Sequence, residues 1–513
     1  MREFSGSKEF ETLKSTVTDA YAKAFPVEKA GHKLELKSIW VDDADLKTDD
    51  FTQQKKVKLA GGTWGAPVYA TLVLKDATGK VLDEMQKIRL ATIPKLTPRS
   101  SYIVGGNEYQ VANQMIRKPG AYVIRSQRGD TFKGSVFLSG DNTHNLDIQF
   151  DPTTNKYTTK MGQANIPLYP LLKSLGVSDQ HLAKTWGEEI FNANRTAKDS
   201  DYLKIANKLT RQTFDNKQTA MEAIQAYAKN AKVDPEITKL TLGNAYDHLH
   251  ANMLLDTSNK LLKVYQGKQV ADDPENLLFK EIRSVEDMIH DRLTSKKEQD
   301  GLKKMLGRQL GKRSTIKQIV DFKKLTAPVE SFFIKDNRTS TPEQYNPVHM
   351  LSERNKITIH GTGGIQSEHA ISDSLREVHP SHLGFIDPVA TPESEKTGTI
   401  LHLAAGVVKD GRSIRTQILN IKTGKMEGML PKEVFYKRVA FPDEYKDGKF
   451  KNPKEVRTQY QGKIEVVASN LVDYVLPSSQ RLFSYSTNLI PFLKNNQGNR
   501  AMMASKHLEI GRA

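Results

Sequence analysis

The sequence contains no cysteine. This absence excludes disulfides, zinc sites with thiolate ligands and catalysis by a cysteine nucleophile, and it is compatible with a reducing compartment. No apolar run approaches the length of about 20 residues that a helix needs to cross a bilayer. The first residues, MREFSGSKEFETLK, lack the apolar core of a signal peptide. We therefore expect no membrane partner.

Signatures of a self-contained catalytic centre are missing as well. The sequence contains no serine elbow, zincin or kinase motif and no Asp-x-Asp-x-Asp cluster that would suit two-metal nucleotidyl transfer. The run Gly361-Thr-Gly-Gly364 lacks the Lys-Ser/Thr that completes a P-loop. His379 and His382 have metal-like spacing, but with no evident third ligand we favour hydrogen bonds within a loop. We predict no metal site on this chain alone.

Positive charge is what the sequence has in excess. Lys and Arg number 76 against 60 Asp and Glu, so the net charge is +16. Such an excess favours polyanionic partners, above all nucleic acid, and a lysine-rich solvated surface is the equally weighted alternative. Segment 291–324 holds eleven Lys or Arg and four Asp or Glu, a net charge of +7. A solvated helix face and a groove lining for nucleic-acid backbone both stay open for this segment.

A mixed α+β, multidomain fold is predicted from the chain length and from the order of its patterns. Apolar residues recur at helical spacing in some segments and alternate in others. The predicted elements are a helix over 8–24, paired strands over 67–74 and 81–90, short strands over 101–104 and 108–111, strands over 129–166, helices from 168 to about 262, a connection over 260–273, a helix from 284, strands over 399–421 with a hairpin at 410–411, and an exposed excursion over 441–453.

Several predicted helices begin with capping signals. A short polar side chain at a helix start accepts hydrogen bonds from free backbone N–H groups. At 234–236 the cap is followed by a proline and an acid, and at 284–287 the sequence has the form of a capping box. The predicted N-caps are Ser178, Asp199, Asp234 and Ser284.

Residues 345–394 have the most unusual composition, with four glycines, four prolines and five histidines and little helix or strand periodicity. Glycine opens backbone angles closed to other residues, and proline fixes φ. Apolar residues within the segment need burial, so disorder is not expected. Long irregular segments in folded chains commonly carry function. We predict an ordered loop assembly that faces a ligand.

Two basic features have side-chain chemistry that suits phosphate binding. Arg117-Lys118-Pro119-Gly120 suits a turn that meets phosphates, but an ordinary surface turn is the favoured interpretation of these residues by themselves. Arg500 stands between Asn499 and the small-residue run 501–505. Small neighbours permit close approach, and a fork-shaped guanidinium suits a phosphate; an ordinary arginine on a helix surface stays open.

Residues 376–393, REVHPSHLGFIDPVATPE, resemble the pattern R-D-V-H-P-T-H-Y-G-R-I-C-P-I-E-T-P-E of the β subunit of multisubunit RNA polymerases. Upstream, 346–347 and 361–364 are similar to the family's N-P-L-S and G-P-G-G. Downstream, 488–493 and 499–501 resemble S-L-I-P-F-L and A-N-R-A. Residues near 101–123 and 283–285, closer to the start of the chain, are also similar to segments of that family, and they occur in the same order. The chain resembles the amino-terminal half of that subunit, most closely as found in the split β subunits of giant (jumbo) bacteriophages.

The resemblance implies a set of domains. The implied domains are the first part of a protrusion over 1–125, a lobe of strands then helices over 126–270, the basic second part of the protrusion over 271–335, a fork with rifamycin-pocket-like loops over 336–400, a β-rich external region over 401–470, and the start of a hybrid-binding region over 471–513.

The resemblance also implies site residues, carried over by motif. Arg500, Asn499 and Glu393 are implied to bind the incoming nucleotide, with Arg500 and Glu393 in supporting roles and no catalytic residue on this chain. Mg²⁺ is implied to be held mainly by aspartates of a partner subunit. The implied nucleic-acid-binding residues are Arg117, Lys118, Arg354, Lys356, Arg376 and Lys506.

The function implied is that of a β N-terminal-type subunit of a DNA-dependent RNA polymerase, inactive alone. It would help hold DNA and the RNA–DNA hybrid and position the nucleoside triphosphate. Implied partners are a C-terminal β-type chain, β′-type chains, DNA template and hybrid, with a phage promoter-specificity subunit left open. The implied location is the host cytoplasm during infection, with virion packaging left open. The alternative is a noncatalytic DNA-binding, promoter-recognition or scaffold subunit with a polymerase-like fold.

Departures from the family pattern fall at chemically important positions. Lys494-Asn-Asn-Gln497 stands where the family has E-H-D-D, and Ser394 replaces its closing glycine. Asp387 and Ala390 replace the Cys and Glu of C-P-I-E-T-P-E. Glu353 and Asn355 stand where the family has His and Arg. These differences argue against a close copy of the cellular nucleotide site and against rifamycin sensitivity.

Overall fold

A computed structural model describes residues 6–44, 46, 50–126, 131–140, 143–313, 315–343, 346–365, 371 and 373–510. The chain divides into two compact units, the first built from 1–116 and 281–513 and the second from 117–280. Each unit combines helices with sheets, so the predicted mixed α+β, multidomain fold is confirmed. The second unit is longer than the segment 126–270 predicted as a lobe.

The helices and strands are numbered here in chain order. The helices are α1 Gly6–Lys23, α2 Phe51–Leu59, α3 Leu168–Ser174, α4 Asp179–Trp186, α5 Glu188–Asn194, α6 Asp199–Thr210, α7 Lys217–Asn230, α8 Pro235–Leu242, α9 Ala251–Tyr265, α10 Val285–Thr294, α11 Lys296–Gly307, α12 Ile316–Ile319, α13 Phe322–Lys335, α14 Pro347–Arg354, α15 Asp373–Arg376, α16 Pro431–Phe435, α17 Tyr485–Asn488 and α18 Gly498–Ile510. The strands are β1 Val27–Lys29, β2 His32–Val41, β3 Gly65–Lys75, β4 Val81–Pro94, β5 Tyr102–Val104, β6 Asn107–Val111, β7 Asn113–Arg117, β8 Gly120–Arg125, β9 Phe132–Phe137, β10 Leu146–Asp151, β11 Lys156–Met161, β12 Ala164–Pro167, β13 Lys280–Arg283, β14 Thr339–Ser340, β15 Lys356–Thr358, β16 Ile400–His402, β17 Val408–Asp410, β18 Ser413–Asn420, β19 Met426–Met429, β20 Val439–Ala440, β21 Tyr445–Lys446, β22 Lys449–Phe450, β23 Val456–Tyr460, β24 Lys463–Val467 and β25 Tyr474–Val475.

The first unit begins with an antiparallel sheet in the order β1-β2-β3-β4. On β3, Val68, Ala70, Leu72 and Leu74 are all fully buried, as their alternation predicted, because alternate side chains of a strand face the same side. The helix predicted over 8–24 is present as α1, and it packs against α10 and the sheet. The core beneath the sheet also takes apolar residues from α11 and α13.

The remaining sheets of the first unit carry the segments near the predicted site. One sheet has the order β13-β7-β15-β16, and a small sheet has the order β14-β6-β5. A larger one runs β17-β18-β25-β20-β23-β24, with β19 paired to β18. The predicted hairpin is present, since Asp410 pairs with Ser413 across two connecting residues.

The second unit packs helices α3 to α9 with an antiparallel sheet in the order β12-β11-β10-β9-β8. The predicted connection over 260–273 is wrong at its start, because α9 continues to Tyr265. Lys260 lies inside the helix, is buried, and pairs with Asp272 at 2.6 Å. Burial raises the pKa of Asp272, and the ammonium of Lys260 opposes this rise. Lys260 is polar yet helical because the partner that neutralises its buried charge lies outside the helix, where no local pattern reveals it.

Three of the predicted N-caps lie at the starts of helices. Ser178 accepts from the backbone N–H of His181 and Asp234 from that of Glu236, so both N-caps are confirmed. At 284–287 the backbone N–H of Ser284 donates to Asp287 at 3.1 Å, as a capping box requires.

The prediction of Asp199 as an N-cap is wrong by one residue. Helix α6 starts at Asp199, and Lys198 occupies the cap position. The Lys198 backbone N–H donates to the Asp201 carboxylate at 3.1 Å. The carboxylate of Asp201, the third residue of the helix, therefore accepts the free N–H at the helix start. Asp199 is a residue of the first turn.

Within the segment 345–394, residues 345, 366–370 and 372 lie outside the described part of the chain, and the described part is more regular than its composition indicated. It contains α14, β15 and α15. Asn346 caps α14 by accepting from the His349 N–H at 2.8 Å, and Pro347 is the first helical residue. Asparagine followed by proline is a helix-start signal, so this helix was predictable from the sequence.

Gly361, the first residue of the glycine run 361–364, packs on a buried arginine. Gly361 has φ of +117°, and a Cβ there would lie 2.8 Å from Cδ of Arg338. The Arg338 guanidinium donates to both carboxylate oxygens of Asp336 at 2.7 Å and to Gln114 at 2.6 Å. The need for glycine is thus explained by close packing on Arg338.

Asp387 joins two segments that lie far apart in the sequence. Its side chain is buried and accepts four hydrogen bonds from neutral donors. The N–H groups of Val389 and Ala390 donate to Oδ1 at 2.7 and 3.2 Å. The N–H of Ser484 and the hydroxyl of Thr487 donate to Oδ2 at 2.7 and 2.6 Å. The loop that follows Asp387 is therefore fixed to the start of α17.

Replacement of Asp387 by alanine leaves four buried donors without this acceptor. We expect the free energy of unfolding of the first unit to fall by roughly 3–5 kcal/mol, and Asp387→Asn to have a smaller effect because it keeps one acceptor. Urea unfolding, with hydrogen exchange measured over 387–390 and 484–501, tests this expectation.

Asp443 provides a matched control. Its carboxylate is 61% exposed and pairs with Arg457 at 2.6 Å, and exposed pairs contribute at most about 1 kcal/mol. An Asp387→Ala loss no larger than the Asp443→Ala loss would contradict the role assigned to Asp387.

Candidate nucleotide and nucleic-acid interface

Arg500 lies in the first turn of α18 and is exposed. Its backbone N–H donates to the side-chain oxygen of Asn499 at 2.8 Å, so these two predicted nucleotide-binding residues are in contact. The Arg500 guanidinium makes one side-chain hydrogen bond among the residues the structure describes, to the sulfur of Met503 at 3.7 Å, and no ion pair there. Its positive charge is therefore accessible to an external anion.

Glu393 and Lys506, predicted from separate motifs, meet in the structure. Their charged groups lie 3.8 Å apart, and the side chains are 45% and 37% exposed. Lys506 lies about 9 Å along α18 from Arg500 and about 120° around its axis. The structure brings Glu393 to the helix that carries Arg500, but not into contact with Arg500.

Arg354 and Lys356 lie at and just after the end of α14, which packs against α17 and α18. Both cations are partly buried and paired within the chain. Arg354 lies 3.5 Å from the Glu9 carboxylate, and Lys356 lies 3.1 Å from Glu353. The predicted nucleic-acid role of these two residues stays a prediction.

Arg376 holds the end of the motif segment 376–393. Its guanidinium donates to the backbone carbonyls of Glu395 and Thr397, the latter at 3.1 Å. Gly398 packs directly on it, since a Cβ there would lie 2.5 Å from the Arg376 backbone. These contacts stabilise the loop, and nucleic-acid binding by Arg376 stays a prediction.

Arg117 and Lys118 have partners within the second unit. The Arg117 guanidinium lies 3.3 Å from the Glu275 carboxylate and 4.8 Å from the centre of the Phe137 ring. Lys118 donates to the backbone carbonyl of Leu278 at 3.1 Å. Phosphate binding by this turn also stays a prediction.

His379 makes the loop hydrogen bonds that were predicted for the histidine pair. Nδ1 of His379 accepts from the backbone N–H of Ser381 at 3.1 Å and so caps the short turn over 380–382. Across the described ranges, no three His, Asp or Glu side chains form a group that could hold a metal ion.

A buried charged network was not predicted from the sequence. Lys409, at the hairpin β17–β18, lies 2.5 Å from Glu286 and 2.8 Å from Asp287 in the first turn of α10. Arg412 lies 2.6 Å from Asp291. Burial raises the pKa of Glu286, and Lys409 opposes this rise. No local pattern links residues this far apart, so only the fold reveals the network.

The basic segment 291–324 covers the end of α10, α11, α12 and the start of α13, and ten of its eleven Lys and Arg residues are exposed. The exception, Arg292, donates to the Ser331 hydroxyl at 2.6 Å and is half-buried. No helix within the described part of the chain is long and apolar enough to cross a bilayer.

Comparisons with known proteins point to one family. The family model "RNA polymerase Rpb2, domain 3" matches residues 340–407. The DNA-directed RNA polymerase subunit beta of Syntrophomonas wolfei is 25% identical over an alignment that covers 96% of this chain and 46% of that protein.

Two further relatives give the same result. The DNA-directed RNA polymerase subunit beta of Prochlorococcus marinus is 26% identical, with 94% of this chain and 46% of the relative covered. That of Gloeobacter violaceus is 24% identical, with 94% and 45% covered. The chain thus spans about half the length of these relatives. Over most of its length, it is homologous to the β subunit of DNA-directed RNA polymerase.

Proposed function

We propose that the chain acts as a β-type subunit of a multisubunit DNA-dependent RNA polymerase. In this role it helps hold DNA and the RNA–DNA hybrid and positions the incoming nucleoside triphosphate. The observation that carries the proposal is Arg500, an exposed arginine in an Asn-Arg-Ala motif whose guanidinium has no acidic partner among the described residues.

The chemistry of nucleotide addition explains why such an arginine matters. Phosphoryl transfer places negative charge on phosphate oxygens, and catalysis depends largely on positioning and on oriented positive charge. A guanidinium donates two parallel hydrogen bonds to a phosphate. In the first turn of α18, the helix dipole adds to this attraction. Arg500 therefore binds and orients the triphosphate, with Asn499 beside it.

Mg²⁺ does not fit on the described residues of this chain. They include no group of three potential ligands, and Glu393 is already next to Lys506. We therefore assign Mg²⁺ mainly to carboxylates of a partner subunit and assign no metal-dependent step to residues of this chain.

Among the residues predicted to bind nucleic acid, Lys506 is our main candidate for a phosphate contact. It is partly exposed, and its only ion pair within the described part of the chain is the long one to Glu393. Arg354, Lys356 and Arg376 have closer partners within the chain. We place the strongest phosphate contact at Lys506 and secondary contacts at these three.

The assembly follows from the same proposal. Partners are a C-terminal β-type chain, β′-type chains, template DNA and the RNA–DNA hybrid, and a promoter-specificity subunit is an open addition. A split polymerase of a giant bacteriophage, in the host cytoplasm or packaged in virions, is the setting we propose. Mass spectrometry of proteins that co-purify with this chain from infected cells and from virions tests it.

Arg500→Ala in the reconstituted complex is expected to slow nucleotide addition roughly 100-fold, because one oriented charge at the reacting phosphates is lost. Assembly should be unchanged, since Arg500 is exposed. Single-nucleotide extension of a preformed RNA–DNA scaffold, with size-exclusion chromatography, measures both.

Arg195→Ala is the matched control, since Arg195 is an exposed arginine of the second unit. It should leave extension unchanged. If Arg500→Ala extends RNA as fast as this control, the chain is better described as a noncatalytic DNA-binding or scaffold subunit.

The isolated chain is expected to make no RNA from template DNA, nucleoside triphosphates and Mg²⁺. The reason is that the described residues offer no metal-binding group. Incorporation of labelled nucleotide by the chain alone, compared with the reconstituted complex, is the measurement. Synthesis by the chain alone would show that the assignment of Mg²⁺ to a partner is wrong.

Lys506→Ala should weaken binding of the complex to a nucleic-acid scaffold and reduce the slope of log K against log salt by about one, as for loss of one phosphate contact. Stability should change by less than about 1 kcal/mol, because the pair with Glu393 is half-exposed. Lys204→Ala, which removes a similarly long pair between the exposed Lys204 and Asp201 at 4.0 Å, should leave the slope unchanged. Equal slopes for both variants would argue against a phosphate contact at Lys506.

A further inference from the structure

The basic segment of the first unit contains a cleft of about 320 Å³ between α11 and the start of α13. This volume is at the lower end of the range of roughly 300–1,000 Å³ typical of ligand pockets. It is large enough for apolar side chains of a bound polypeptide. None of the residues assigned to nucleotide or nucleic-acid binding lines this cleft.

The rim of the cleft is cationic. Lys304 and Arg308 line it, are exposed, and make no ion pair with any residue the structure describes. Lys324 also lines the cleft and pairs with Asp321 at 2.8 Å. The rest of the segment 291–324 strengthens the positive potential here, because seven further exposed lysines and arginines lie on α11, α12 and the start of α13 or in the turn between α11 and α12.

The floor of the cleft is apolar. Leu306, Ile319 and Leu325 are buried core residues that also line the cleft. Met305 is half-buried beside them, and methionine adapts its shape to varied apolar partners. A cationic surface that only met phosphates would gain nothing from such a floor.

We propose that this cleft binds an acidic polypeptide segment that carries an exposed aliphatic or aromatic side chain. Asp or Glu of the segment pairs with Lys304 and Arg308, and the apolar side chain fills the cleft against Met305 and Ile319. Charge complementarity attracts the segment, and the apolar contact selects it from other polyanions. The proposal does not depend on the polymerase assignment, since it rests on a different surface.

The test uses the full-length chain and a labelled twelve-residue peptide of Asp and Glu with one central phenylalanine, followed by fluorescence anisotropy. The Lys304→Glu/Arg308→Glu variant should bind at least tenfold more weakly. The Lys156→Glu/Lys160→Glu variant reverses two exposed lysines of β11 and should change binding less than twofold. Both variants alter exposed residues, and a thermal melt checks that they fold.

Two further measurements separate a polypeptide site from a nucleic-acid site. Replacing the central phenylalanine by serine should weaken binding about tenfold, as expected when one buried apolar side chain is lost. Met305→Ser should reduce this dependence on phenylalanine. A twelve-nucleotide single-stranded DNA should bind no more weakly to the cleft variant than to the β11 variant. The proposal is wrong if the peptide does not bind, if serine and phenylalanine peptides bind equally, or if the DNA is the ligand most weakened by Lys304→Glu/Arg308→Glu.

Discussion

The geometry of the candidate interface depends on the buried carboxylate of Asp387. A carboxylate removed from water is costly unless hydrogen bonds replace its hydration, and here four neutral donors do so. Two donors follow Asp387 directly, and two belong to the start of α17. The carboxylate can keep all four only if the loop and the helix stay together. Through this constraint, the loop that leads to Glu393 is held beside α17, which packs against α18, the helix that carries Arg500 and Lys506.

This arrangement separates two uses of positive charge. Arg338 and Arg376 donate their hydrogen bonds to acceptors within the chain. They thereby stabilise the loop at Gly361 and the loop that follows the motif segment. Arg500 has no such acceptor among the described residues and stays exposed. Composition counts all three as one positive charge each, but only the fold shows which charge can meet a ligand. A ligand-binding role assigned from a motif is therefore better supported where, as at Arg500, the structure leaves the side chain accessible.

Features governed by neighbouring residues could be predicted from the sequence. The alternation on β3 and the caps at Ser178 and Asp234 depend on residues a few positions apart. Features governed by distant partners could not, as Lys260 in α9 and the donors to Asp387 show. Helix α14 is different, because its Asn-Pro start is a local helix signal that coincides with a family motif. Among the predictions from the sequence, these two residues count only as that motif. For the site, the motifs selected Arg500, Glu393 and Lys506, and the fold alone placed the latter two in contact.

The basic segment 291–324 and Arg500 also differ in how they select a partner. At physiological salt the Debye length is about 8 Å, so a run of exposed lysines attracts any nearby polyanion without distinguishing its shape. A guanidinium selects by the direction of its hydrogen bonds. In the cleft beside Lys304 and Arg308, selection comes instead from an apolar contact, which salt does not screen. Salt weakens the attraction between the lysine run and a polyanion, but it does not weaken the apolar contact in the cleft. The binding that remains at high salt therefore reports the shape of the ligand rather than its charge.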